Sequence, residues 1–185
     1  MADRWRRWMP ASGIVFGILF VVGLLMNNLP SGTDAEVNAF YAKSSNRIVT
    51  VVSAYVLVVA ALAFLIFLVD VRRRLRSTAG GDSAWTDVSF VSGLMFVAAL
   101  LVAGVTFASV AGNIQFGGDP QPAADVARQV PELADPILVV AGALAAALLV
   151  ASTSVVALQT GILPRWLGWL GFVLVEARRR AALVL

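Results

Sequence analysis

The chain has 185 residues, of which 59% are hydrophobic and 14% charged, against roughly 45–50% and about 25% in typical soluble domains. A water-soluble core cannot hide that much apolar surface, so lipid has to act as solvent for part of it. With no cysteine and no histidine, disulfides, thiol catalysis, zinc sites and histidine-ligated haem are excluded, and so is the commonest general base.

The formal charge of +3 would suit nucleic acid if the basic residues were clustered on a polar surface. Instead they flank apolar runs, as topology signals do, and nucleic acid is not an expected partner. The pattern predicts an all-α fold over a single domain, 1–185. It is an integral membrane four-helix bundle with spans at about 11–29, 48–70, 85–112 and 136–158.

Arg4, Arg6 and Arg7 beside Trp5 and Trp8 precede the first apolar run. Its length matches the ~20 residues that a hydrocarbon core of ~30 Å needs. A signal peptide also begins this way, but the run is long for one and no small-x-small cleavage site follows Met26, so a retained helix is expected. In the connection 31–47, Thr33 and Glu36 have the spacing of a capping box. Val37, Phe40 and Tyr41 then share one helical face, which predicts an extracytoplasmic interfacial helix with its apolar stripe on the membrane. The second span stops at Asp70 and the basic group Arg72, Arg73, Arg74 and Arg76. A loop with Gly80-Gly81 leads to the third span, which carries Thr86 and Asp87 in its first turn, where the helix dipole favours an acid.

The connection 113–135 holds Pro120, Pro122 and Pro131. A short helix is expected around Ala123 to Gln129, broken before Pro131. Asp135 and Pro136 form an N-cap and first-turn pair for the fourth span. After it, Trp166 to Val175 is too short an apolar run to cross, and Arg178, Arg179 and Arg180 would be costly at mid-membrane. The expectation is a cytoplasmic interfacial helix over 164–183.

Of the 14 basic residues, all but Lys43, Arg47 and Arg128 fall on the N-terminal side of the membrane when the N-terminus is placed in the cytoplasm. That positive-inside bias predicts a multi-pass protein of the plasma membrane with both termini cytoplasmic. Arg72, Arg73, Arg74, Arg76, Arg165, Trp166, Trp169, Arg178, Arg179 and Arg180 are then the residues expected at lipid headgroups.

Small residues recur four apart at Gly13 and Gly17, at Gly104, Ala108 and Gly112, and at Ala143, Ala147 and Ala151. Such stripes let helix backbones approach closely, within this bundle or in a homodimer. No ionisable side chain lies at depth, which counts against a pump or proton-driven carrier. Uncharged polar residues gather toward the outer side. Asn27, Asn28, Ser53, Tyr55, Thr106, Ser109 and Asn113 could line an outward vestibule for a small ligand, or could simply bond headgroups, water and neighbouring helices. Ser152, Thr153 and Ser154 are expected to return hydrogen bonds to their own helix. No catalytic set, metal site, cofactor or phosphate loop is legible. Asp70, Asp82 and Asp87 imitate a metal-assisted site only loosely, and solvated loop acids are the simpler account.

The ending Gly161-Ile162-Leu163-Pro164-Arg165-Trp166-Leu167-Gly168-Trp169-Leu170-Gly171 resembles a signature of uncharacterised actinobacterial multi-pass membrane proteins. The stretch Glu36 to Ala42 through Asn46-Arg47, with the arginine-ended span after it, resembles the same group. With the hydropathy plan the likeness covers most of the chain. It implies a small helical bundle in the plasma membrane, with no reaction assigned to the group and no functional residues to carry over. Relatives continue past the Pro-Arg-Trp motif into a further apolar helix, whereas here Glu176 and the arginines interrupt it; natural shortening, truncation and a frame shift all fit that departure.

Three functions are compatible with these features. A non-enzymatic accessory protein, with lipids and another membrane protein or a second copy as partners, leads. Binding or passive transport of a small molecule or lipid through the vestibule is the alternative. An intramembrane enzyme acting on lipid headgroups through Asp70 and the adjacent arginines is the weakest.

Overall fold

The computed structural model describes residues 11–27, 29–30, 32–78 and 84–160. Among them there is no β-strand. The helices are α1 (Ala11–Met26), α2 (Asp34–Ala42), α3 (Ser44–Thr78), α4 (Ala84–Gly112), α5 (Ala124–Glu132), α6 (Ala134–Pro136) and α7 (Ala143–Thr160). Two wider, π-type segments, Asn113–Gly117 and Ile137–Gly142, extend α4 and join α6 to α7. Three continuous stretches, Ser44–Ser77, Ala84–Gly117 and Ala124–Gln159, are long and apolar enough to cross a membrane. The expected interfacial helix at 164–183 lies outside the described residues.

The first helix is shorter than its apolar run. At 16 residues it spans roughly 24 Å. It ends at Met26 because Asn27 and the pre-proline position Leu29 disfavour helix. The second helix is longer than expected: α3 continues past Asp70 to Thr78. Arginine is a good helix former, and Arg74 pairs with Asp70 one turn back at 2.7 Å, so nothing stops the helix at the end of its apolar part.

The long helices form an antiparallel row, α1–α3–α4–α7. Gly13 lies against Phe67 and Gly23 against Leu57, so α1 runs opposite to α3. Gly93 faces Leu68 and Gly112 faces Val51, so α4 reverses again. Ser89 meets Thr153 and Gly142 meets Ala99, which sets α7 antiparallel to α4. Leu57, Ala61, Phe64, Val97, Leu100, Ala103 and Phe107 make the central core. Phe16 and Phe20 of α1 lie over the α3–α4 seam, with ring centroids 4.7 Å apart for Phe16 and Phe64, and 5.3 Å for Phe64 and Phe96. Backbone approach is tightest where sequence stripes did not point. A Cβ at Gly93 would lie 2.5 Å from Leu68 Cδ1, and one at Gly23 2.7 Å from Leu57 Cδ2; of the Gly13 and Gly17 pair, a Cβ at Gly13 would lie 2.9 Å from Phe67 Cδ2 and one at Gly17 would meet no neighbouring helix within 4 Å.

One end of the row carries a cap built from α2, the Asn113–Gly117 turn and α5. The capping box forms, with the Thr33 N–H donating to Glu36 at 2.7 Å. The stripe of α2 does not lie on a surface, however. Val37 and Tyr41 are wholly buried, packed with Val51 of α3, Val110 and Ala111 of α4, and Ala124 and Ala127 of α5. The apolar face expected to rest on lipid is instead the floor of a protein core, because α5 supplies a complementary small-residue face.

Helix α5 is not broken before Pro131, which sits inside its last turn. A proline there withholds the N–H that the carbonyl four residues earlier would accept. That carbonyl belongs to Ala127, and the Tyr41 hydroxyl donates to it instead, at 3.3 Å. The chain then turns only at Leu133 and resumes helix at Ala134, so Asp135 lies within a helical turn rather than capping one.

Candidate functional site

Neither end of the bundle is featureless, and the residues singled out from sequence divide between them. At the cap end, Arg47 is the hub. Its Nε donates to Gln115 Oε1 at 2.9 Å, its guanidinium to the carbonyls of Tyr41 and of Ala42, the latter at 3.2 Å, and Ser44 shares the same Gln115 oxygen at 3.0 Å. The guanidinium thereby satisfies the last carbonyls of α2, where a cation complements the helix dipole. Arg128 reaches Asp34 at 2.6 Å and Gln121 reaches Asn38 at 2.9 Å, tying α5 and its leading loop to α2. Burial pushes the Tyr41 phenol up to about 12, since the phenolate would lose hydration in that core.

The expected vestibule is only partly assembled. Ser109 and Asn113 line a groove of about 280 Å³ between the end of α4 and α5, with Asp119, Pro120 and Pro122 on its loop side. Ser53 is buried and donates to the Thr50 carbonyl at 2.7 Å, within its own helix. Tyr55, two residues on and so on the opposite side of α3, is 68% exposed. Thr106 likewise bonds its own helix, to the Val102 carbonyl at 2.8 Å. Asn27 closes α1 with its side-chain oxygen buried and without a donor. Asn28 lies outside the described residues. The six that are described therefore do not converge, and the groove uses two of them, Ser109 and Asn113.

The opposite end carries the arginines. Asp87, in the first turn of α4, accepts from Arg72 at 2.9 Å and Arg76 at 3.1 Å, clamping the C-terminal end of α3 to the start of α4. Arg72 also lies 4.2 Å from the centre of the Phe90 ring, a cation–π contact. Arg74 is held by Asp70. Of the eight arginines expected at headgroups, four are described, and Arg72, Arg74 and Arg76 among them take part in ion pairs. A polar cleft of about 290 Å³ is lined by Asp70, Arg73, Arg74 and Ser77. Arg165, Trp166, Trp169, Arg178, Arg179 and Arg180 lie outside the described residues.

Between the ends the polar side chains serve the helices. Ser152 and Thr153 return bonds to the Leu148 and Leu149 carbonyls, each at 2.7 Å, and Ser92 does the same to Val88 at 2.6 Å. Ser89 and Thr153 join α4 to α7 across 2.9 Å. The Thr86 hydroxyl, buried beside them in sequence, has no partner. Among the described residues no group of three acidic side chains is placed to hold a metal ion. Three features escaped sequence reasoning: the Tyr41–Ala127 bond, the Asp87 clamp and the close approaches at Gly23 and Gly93. Pro131 signalled an orphaned carbonyl, and the first-turn acid facing an arginine group signalled a clamp.

No family model matches the chain, and no curated protein or solved structure matches it either.

Proposed function

We propose that the chain is a four-span protein of the plasma membrane, with both termini in the cytoplasm, that works as a non-enzymatic accessory subunit. The same group of uncharacterised actinobacterial membrane proteins, suggested by the Pro-Arg-Trp ending, is its proposed family. The observation that carries the subunit role is the position of α7. In the stretch that includes it, 17% of the most apolar window is buried, against 44% in each of the other two long stretches. Val139, Val140, Leu144 and Leu148 present a continuous exposed apolar face. Lipid solvates such a face without cost, and helices at the edge of a row are the ones a second membrane protein can join by packing. The orientation rests on the arginines gathered at one end and the acidic cap at the other.

A photo-reactive side chain at Leu144 or Leu148 in native membranes tests the role. A discrete protein adduct is expected there and not from Val59 on α3; adducts to lipid alone at both α7 positions refute it. The orientation is tested separately. The chain has no cysteine, so Ala123→Cys and Ser77→Cys each create a single thiol. An impermeant maleimide should label the first in intact cells and the second only after permeabilisation; the reverse order overturns the topology.

A further inference from the structure

We infer that the groove at the cap end is a binding site for a small water-soluble organic cation, an ammonium group carried on an apolar body. The inference goes beyond the accessory role and does not depend on it. The groove, about 280 Å³, has walls of Val110, Ile114, Val126 and Val130 and a carboxylate, Asp119, as its only charged lining residue. A site of this kind, mostly apolar with a few placed polar groups, fixes a ligand by burying its body and pairing its charge.

Two features suit Asp119 to the task. Among the described residues it makes no ion pair, although the nearby acids Asp34 and Asp125 both face Arg128, at 2.6 and 3.9 Å. Its backbone is also fixed, because the Asp119 N–H donates to the Asn113 carbonyl at 3.4 Å and Gly118 holds the preceding left-handed turn at φ 73°. A carboxylate held at the mouth of an apolar groove prefers a cation over an anion or a neutral solute. The surrounding cap surface carries Asp34, Glu36, Asp125, Glu132 and Asp135 against Lys43, Arg47 and Arg128, so with Asp119 it stays net negative and the long-range field points the same way. The source is taken to be the aqueous phase because Asp119 and Pro120 are exposed loop residues beyond the end of the apolar helix.

The test uses the full chain in phosphatidylcholine nanodiscs, with phenethylammonium as probe, its neutral analogue phenethyl alcohol as comparison, and empty discs as background. Binding is read by ligand-observed saturation-transfer NMR. The cation is expected to bind above background, with the alcohol weaker by about tenfold or more, the loss expected when a bond to a charged group is missing. Asp119→Asn should weaken the cation to the level of the alcohol, while Glu132→Gln, an equal change of charge outside the groove, should leave it unaltered. Cation binding no stronger than in empty discs overturns the inference, as does equal binding of the alcohol. An equal loss in Glu132→Gln would reduce the site to diffuse surface charge and overturn it too. Discs containing phosphatidylethanolamine separate the two sources of ammonium: unchanged probe binding supports a soluble ligand, and its loss assigns the groove to the lipid headgroup instead.

Discussion

Replacing Tyr41 by Phe removes one oxygen from a side chain with no exposed surface. It also leaves the Ala127 carbonyl without a donor, because Pro131, the residue that would normally supply one, has no N–H. An unsatisfied buried acceptor costs about 1–3 kcal/mol, and the 3.3 Å length of the native bond places the expected loss at the lower end, about 1–1.5 kcal/mol. Pro131→Ala restores a backbone donor to the same carbonyl, so Tyr41→Phe should cost less in that background, with a coupling of about 1 kcal/mol in the double-mutant cycle. The four proteins would be unfolded by dodecyl sulfate titration in one lipid–detergent mixture and followed by circular dichroism. Additivity within about 0.5 kcal/mol would show that Pro131 and Tyr41 do not share the Ala127 carbonyl, and the account of the cap would fall.

The same phenol sets a pH dependence. Its acidity is shifted in the folded state from 10.0 to about 12, so above pH 10 the unfolded chain releases the proton first and stability falls as pH rises toward 12, with no contribution below that window; the decline should vanish in Tyr41→Phe. Arg47→Lys keeps the charge but loses the planar fork, and should raise amide exchange selectively in the last turn of α2, measured by mass spectrometry, with the α3–α4 core unchanged. Asp87→Asn should loosen the arginine end, seen as a lower unfolding midpoint that is less sensitive to salt than wild type, since the pair it breaks is half-exposed. Gly93→Ala places a methyl 2.5 Å from Leu68 Cδ1 in a nearly closed site. It should destabilise by about 1–2 kcal/mol despite the better helix propensity of alanine, and Leu68→Ala in the same chain should relieve part of that loss.

Where the physics was local, the sequence was legible. Apolar length located all of the long helices, and the Thr33–Glu36 box marked the start of α2 to the residue. What could not be read was which partner each face would find. The stripe Val37, Phe40 and Tyr41 looks the same whether it rests on lipid or on a second helix, and only the small-residue face of α5, Ala124 and Ala127, decides for protein. The polar residues of the expected vestibule are dispersed for a related reason. Ser53, Thr106 and Ser109 are three or four residues from a carbonyl of their own helix, so each can be satisfied where it stands, and convergence on a common cavity is not required by any of them. For the arginines, a positive-inside count predicts a side of the membrane and carries no information on whether an acid from the next helix engages them, as Asp87 does Arg72 and Arg76.

These distinctions bear on which parts of the row can move. Within lipid, exposed apolar surface exerts no pull, so the grip on each helix is the sum of its close packing, its polar contacts and its tethers. Helix α3 has all three: Leu57 and Leu68 under the glycines, the Asp87 clamp at one end and the Arg47 hub at the other. Helix α7 is held by less. The Ser89–Thr153 bond is of a kind worth about 0.6 kcal/mol between membrane helices. Gly142, where a Cβ would lie 3.6 Å from Ala99 Cβ, approaches without the tight interlock seen at Gly93. Its connection to the cap passes through the π-type segment Ile137–Gly142, which interrupts the regular α-helix between α6 and α7. This lightly held helix also presents an open apolar face, and its tether runs directly into α5, one wall of the cap groove. Packing of a second protein against Val139 to Leu148 and filling of the groove beside Val126 and Val130 would therefore act on adjoining parts of a single weakly restrained element.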